Sequence, residues 1–396
     1  MPESSDTHIG TRLREARKRA GLTQRGLASA SGVSVSLIRK LEQQEVQETR
    51  LETARALAVA LRVPTSALLR RDDGMDDAEP VGPWEQVRAA LTAPRQPSDV
   101  TDAEPTARGL GAALRATEPL FAGDRFAELA VVLPHLLRDA DALDDEEPHT
   151  RAIRGRLLQL TGWLLTQNRQ FEAANHALDR AQAEATDRLD GAATATIQCW
   201  LLLRTGRVGE ARELAERWAD ETEPRLSRAT ADELASWGWL MLRVSAASVR
   251  DARQGQAADA LRMASAAAAA LGREHSPEGD WLRTFGPTTV VLKAAEHEAV
   301  TGRPDRVLAA SEQVPLDELP RTSNNRNRHL LDVADAHARL RRYGEAVDVL
   351  REIQAASPQW LPQQRYARDI LGRIVRRRRT LTPEMRGLAD AVRLPL

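Results

Sequence analysis

The chain has 396 residues, 42% apolar and 29% charged, and a net charge of −1. That length predicts more than one domain, and the composition is globular rather than disordered. The single cysteine, Cys199, excludes a disulfide framework and any cysteine-built metal site. No apolar run reaches the ~18 residues of a membrane span. Met1–Gly10 lacks the charged-then-apolar pattern of a secretory signal, so a reducing cytoplasm is the expected compartment.

The near-neutral total hides a polarity. Residues 1–70 carry +5, residues 71–105 carry −6, and residues 106–396 balance. A basic head on a neutral body predicts that the head alone meets nucleic acid. Residues 8–69 parse into five short helices. His8 to Ala20 has the stripe Ile9, Leu13, Ala16 and stops at Gly21. Thr23 is placed to cap Gln24 to Ala30, with Leu27 and Ala28 inward. Gly32 suits a left-handed turn. Ser34 caps Val35 to Gln43, whose inward residues are Ile38 and Leu41. Arg50 to Leu61 and Thr65 to Leu69 complete the bundle. Two short helices joined by a tight Gly-containing turn form a helix-turn-helix.

The run Ile9-Gly10, Leu13-Arg14, Arg17, Gly21-Leu22-Thr23-Gln24, Leu27-Ala28, Gly32-Val33-Ser34, Ile38 and Glu42 resembles the Cro/repressor-like helix-turn-helix of the XRE family. The resemblance implies that the third helix enters the major groove of double-stranded DNA. Thr23 and Gln24, at the start of the second helix, would then meet a phosphate or a base edge. Ser34, Val35, Ser36, Arg39 and Lys40 would form the reading face. Arg39 and Lys40 can donate to guanine edges or phosphates, and Val35 can touch only a thymine methyl. The family pattern continues after the third helix with Gly, often a basic residue, and Pro. Here the loop is Gln43 to Thr49 and carries Glu45 and Glu48, which repel a phosphate. Fewer contacts per head predict a homodimer on a near-palindromic site.

Residues 71–105 read as an acidic linker with prolines at 80, 83, 94, 97 and 105, interrupted by a short helix near Trp84 to Leu91. Residues 106–396 repeat a pattern. A small residue is followed by a turn, an aromatic or apolar residue, an alanine three later and an apolar residue after that. Gly162, Phe171, Ala174, Leu178 shows it best; Ala334, Tyr343, Ala346, Leu350 follows closely; copies at Cys199, Ser248 and Ala295 are weaker. The pattern resembles the tetratricopeptide repeat, which implies helical hairpins stacked as an α-solenoid with a concave face. The fold expected is therefore all-α: a five-helix Cro/repressor-like head at 1–70, a linker at 71–105 and a repeat body at 106–396.

On that register Gln159, Trp163, Thr196 and Trp200 face the groove. Trp163 and Trp200 serve equally well as a core seam with Trp237, Trp239 and Trp281. The polar stretch 322–329 adds Asn324, Asn327 and Arg328, whose amides match an extended backbone and whose guanidinium matches a carboxylate. A polar capping loop is the commoner origin of such a stretch. The basic run Arg376 to Arg379 reads as a solvated helix face. No phosphate-cradling loop, paired metal-binding histidines or nucleophile elbow occurs, so neither enzyme activity, metal nor cofactor is expected. The architecture resembles Gram-positive regulators that join an XRE head to tetratricopeptide repeats and sense short peptides. It implies a DNA-binding transcription regulator with a peptide or small-molecule effector. The alternative is a constitutive DNA-binding regulator whose body is a partner or dimerisation scaffold.

Overall fold

The computed structural model describes residues 9–46, 51–63, 68, 84–93, 105–143, 147–225, 227–316, 319 and 324–394. All regular structure among them is helical apart from one isolated bridge, His275 to Phe285. The chain forms two compact units: residues 1–80 with 341–396, and residues 81–340. The second boundary falls inside the last copy of the repeat pattern, between Ala334 and Tyr343.

In the first unit, α1 (Ile9–Arg19), α2 (Gln24–Ser31), α3 (Val35–Glu42) and α4 (Leu51–Leu61) form the head. The expected caps are present. Thr23 Oγ1 accepts the Gly26 N–H at 3.0 Å and Ser34 Oγ accepts the Leu37 N–H at 3.2 Å. Gly21 and Gly32 end the helices before these caps at φ 69° and 72°, a region open to glycine without strain. Ile9, Leu13, Leu27, Ile38, Leu41 and Leu57 pack into one core. Of the segment expected to be helical at 65–69, only Leu68 is described, and it is buried in that core. In the loop after α3, Glu45 is exposed, and Glu48 lies outside the described residues.

The same unit contains a C-terminal stretch that the sequence pattern attaches to the body. The helices at Tyr343–Ala356, Arg365–Arg376 and Pro383–Ala391 lie in it. Lys18, at the end of α1, is 2% exposed. Its ammonium donates to the carbonyls of Val375 and Arg376 at 2.8 and 3.2 Å, at the C-terminal end of a helix, where a cation is favoured. Burial first, and then Arg14 and Arg17, push its pKa down to about 8. Arg19 donates to the Leu394 carbonyl at 2.6 Å and faces Asp390 at 3.6 Å. The charged end of α1 is thus a docking edge for the C-terminal stretch.

The second unit begins with α5 (Glu85–Thr92), the short helix expected in the linker, and α6 (Ala107–Arg115), α7 (Glu118–Ala122) and α8 (Phe126–Asp141). Paired helices follow: α9 (Pro148–Gln167) with α10 (Phe171–Glu184), α11 (Arg188–Arg204) with α12 (Val208–Glu221), α13 (Ala231–Arg250) with α14 (Gln254–Leu271), and α15 (Pro287–Val300) with α16 (Pro304–Ser311). The last is α17 (Asn324–Arg339). The first helices of successive pairs, α9, α11, α13, α15 and α17, touch in turn. A left-handed residue recurs two positions before each second helix: Asp124, Arg169, Gly206, Ala252 and Gly302. Arg341 holds the same place before Tyr343–Ala356. The small residues of the pattern sit at the crossings. A Cβ on Gly162 would lie 2.6 Å from Leu178 Cγ, and Cys199, Ser248, Ala295 and Ala334 are completely buried.

Candidate nucleic-acid interface and the charged floor of the body

Capping at Ser34 and burial of Ile38 and Leu41 leave Ser34, Ser36, Arg39 and Lys40 exposed on the other face of α3, with Val35 half-buried. Neither Arg39 nor Lys40 has an ion-pair partner among the described residues, so both cations are available to an external anion. Thr23 is exposed with its hydroxyl oxygen engaged in capping. Gln24 is half-buried, and its amide donates to Glu42 Oε2 at 2.9 Å.

Glu42 anchors the motif from beneath. Its carboxylate is gripped in fork fashion by Arg17, Nε to Oε1 at 2.6 Å and Nη2 to Oε2 at 2.8 Å. The same guanidinium donates to the Leu22 carbonyl at 2.9 Å. One buried carboxylate therefore ties together the end of α1, the turn, the start of α2 and the end of α3. Arg17 and Glu42 both stand in the sequence pattern, but their direct pairing was not legible as a contact.

In the second unit the expected groove residues separate into two groups. Gln159, Thr196 and Asn327 lie beneath the surface, at 2%, 1% and 0% exposure. Gln159 donates to Thr194 Oγ1 at 3.0 Å and Thr196 to the Ala192 carbonyl at 2.9 Å. Trp163 is buried, with the half-buried Trp200 ring at 5.4 Å and the edge of Phe121 at 5.0 Å on it. Asn324 and Arg328 are half-buried. Of the other tryptophans, Trp237 and Trp239 belong to the core beneath, and Trp239 donates to the Thr284 carbonyl at 3.1 Å.

Beside Trp200 lies a charged floor that periodicity did not isolate. The guanidinium of Arg204 lies 5.8 Å over the Trp200 ring. Arg243 Cζ is 5.1 Å and Lys293 Nζ 5.8 Å from the Trp239 ring. Arg243 Nε donates to the Thr196 carbonyl at 3.0 Å. Glu296 is held by Arg250 at 2.6 Å and Lys293 at 3.1 Å. Burial alone would raise the Glu296 pKa; Lys293, Arg250 and Arg328 outweigh it and hold the carboxyl well below its ordinary value. Asp332 is pushed up to about 7, by burial first and Glu296 second, against the pull of Arg328, Lys293 and Arg250. Burial and then Lys293 push His329, one turn before Asp332, down to about 4.

These last two shifts oppose one another in their effect on stability. His329 takes up a proton on unfolding between pH ~6.5 and 4, so its contribution is lost as pH falls. Asp332 releases one on unfolding between pH ~4 and 7, so its contribution is lost as pH rises. Over their common window the two slopes cancel. Asp332→Asn removes one of them. The variant is expected to lose about 2 kcal/mol relative to the wild type between pH ~6.5 and 4.5, measured by urea unfolding at both values. A parallel pH dependence of the two proteins would contradict this.

Among the described residues no group of three His, Cys, Asp or Glu is placed to hold a metal ion. No helix among them is long and apolar enough to cross a membrane. Residues 13–68 match the helix-turn-helix family model. The match supports an XRE-type head and, with it, a sequence-specific DNA-binding regulator. No curated protein matches the chain.

Proposed function

We propose that the chain is a transcription regulator that reads duplex DNA through the outer face of α3 and whose helical body senses a small effector. The observation that carries the DNA reading is the exposed pair Arg39 and Lys40, on a helix fixed from below by Arg17 and Glu42. Ser34 and Ser36 flank them as donors, and Val35 offers an apolar contact to a thymine methyl. Thr23 and the Gln24 backbone lie at the N-terminus of α2, where N–H groups favour a phosphate.

Arg39→Ala and Lys40→Ala are each expected to cost about 1–3 kcal/mol in specific binding, read by fluorescence anisotropy on a site found by genome-wide mapping. A footprint that survives removal of residues 1–70 would overturn the assignment. Two heads on a near-palindrome, with half-sites roughly 34 Å apart, follow from the few contacts one head can make. A monomer mass by light scattering, both free and on DNA, would refute that part.

The helix pairs of residues 106–340 support a tetratricopeptide-like body, because small residues sit at each crossing and first helices abut in series. Sensing rests on the aromatic and charged surface around Trp200, Arg204 and Arg328. The burial of Gln159, Thr196 and Asn327 favours a second reading in which much of that surface is structural and the body serves as a partner scaffold. Mapping with and without culture extract separates the two.

A further inference from the structure

The floor beside Trp200 holds a recessed cation, Arg243, with no carboxylate in ion-pair contact among the described residues, close to the paired Lys293 and Arg250. Arg243 lies within electrostatic reach of Arg250 and of Lys293, and Lys293 in turn of Arg328. Glu296 is shared by Arg250 and Lys293, and burial keeps Asp332 partly protonated near neutral pH. Arg243 has no carboxylate within ion-pair distance among the described residues. Its guanidinium instead meets the Thr196 carbonyl and the Trp239 face. The groups are recessed but not sealed: Lys293 and Glu296 keep 15% and 16% of their side-chain surface in contact with solvent.

Recessed cations are costly to keep in a fold. Replacing them with apolar residues of similar volume would be neutral or stabilising, so their presence calls for an anion that arrives from outside. Arg243 supplies a planar fork for a carboxylate, and Lys293 a point charge beside it. The Thr196 carbonyl that holds Arg243 lies one helical turn from Trp200 on the same face of α11. Trp200, whose ring is half-buried, therefore branches from the helix about 6 Å along its axis from that contact.

We propose that this floor binds an organic anion, with its carboxylate at Arg243 and Lys293 and a flat apolar group against Trp200. The inference rests on the effector reading above and narrows it to a ligand class. The same chemistry belongs to the C-terminus of a short peptide and to a free aromatic acid.

The test uses the full-length protein and 8-anilinonaphthalene-1-sulfonate as the probe, with the uncharged N-phenyl-1-naphthylamine as its control. The expected result is one saturable sulfonate site per chain, which quenches tryptophan emission and binds at least ten-fold more tightly than the neutral control. Arg243→Gln and Lys293→Gln should each weaken it ten-fold or more, with melting temperatures confirming the fold. If either variant fails to fold, the comparison of charged and neutral probes on the wild type still decides. Equal binding of the two probes, or unchanged binding by folded variants, overturns the proposal. Competition by indole-3-acetate and by a dipeptide ending in tryptophan, each against its amide, identifies the source. Displacement by the dipeptide acid alone assigns a peptide terminus, and displacement by indole-3-acetate alone assigns a free acid. Displacement by neither acid overturns the proposal. DNA affinity is measured on the same samples. Anion binding that leaves it unmoved keeps this site and removes the effector role.

Discussion

Gly10→Ala is expected to unfold the head and abolish DNA binding. Gly10 lies in the first turn of α1, where α1 crosses the end of α3. A Cβ placed on it would stand 1.7 Å from the Leu41 carbonyl oxygen and 2.7 Å from the Leu41 carbonyl carbon. Both atoms are backbone, so no rotamer change relieves the clash. Either α1 moves away from α3, which opens the core of Leu13, Ile38 and Leu41, or the end of α3 deforms and carries Lys40 with it. Glycine is otherwise a poor residue within a helix, and alanine would gain up to about 1 kcal/mol in propensity. The steric term exceeds that gain; a net loss of about 3 kcal/mol or more is expected, a large part of the stability of so small a domain. The contrasting substitution is Gly387→Ala. This glycine lies in the interior of the helix Pro383–Ala391, is exposed, and has nothing within 4 Å of its would-be Cβ. It is expected to stabilise by roughly 0.5–1 kcal/mol. Thermal unfolding of the two variants, together with anisotropy titration on the mapped site, measures both. Wild-type stability in the Gly10 variant would show that the crossing of α1 and α3 is wider than described.

Most of the head was legible in the sequence because its determinants are local. Thr23 and Ser34 cap the helices that follow them, Gly21 and Gly32 take up positive φ, and the apolar stripe points inward. Each of these acts within a few residues. The docking of Lys18 on the Val375 carbonyl was not legible, because the two residues are 357 positions apart and a lysine at the end of a basic helix ordinarily faces water. In the body, the small residues at helix crossings could be read as a pattern, since a close approach demands a small side chain. The left-handed turns could be anticipated at Gly206 and Gly302 but not at Arg169 or Ala252, where an unfavoured residue accepts the same conformation. The groove was the hardest to read. Periodicity placed Gln159 and Thr196 on one face and the polar stretch added Asn327, but whether that face is open depends on packing from neighbouring helices. Arg243 and Lys293 escaped notice because a lone basic residue in a helix usually marks a solvated side, and only the tertiary structure turns these two onto Trp239.

Arg17→Met is expected to destabilise the head by about 3–5 kcal/mol, because it strands a buried carboxylate. The Arg17 and Glu42 side chains are 8% and 3% exposed. Removing the guanidinium takes away both fork contacts to Glu42 and the donor to the Leu22 carbonyl. Gln24 would remain the described side-chain donor to that carboxylate, and one neutral amide cannot offset a full buried charge. The strain falls on the two ends of the reading motif, the start of α2 and the end of α3, so DNA affinity should drop with stability. Arg17→Met with Glu42→Met separates this origin from simple loss of packing. Both charges then leave together and apolar volume fills the site. The double variant is expected to recover at least half of the loss, as buried pairs replaced by apolar residues commonly do, giving a favourable coupling of about 2 kcal/mol in a double-mutant cycle. Equilibrium urea unfolding of the wild type, both single variants and the double variant closes the cycle. Additive losses would mean that the two side chains act independently, and that the start of α2 and the end of α3 are held by apolar packing alone.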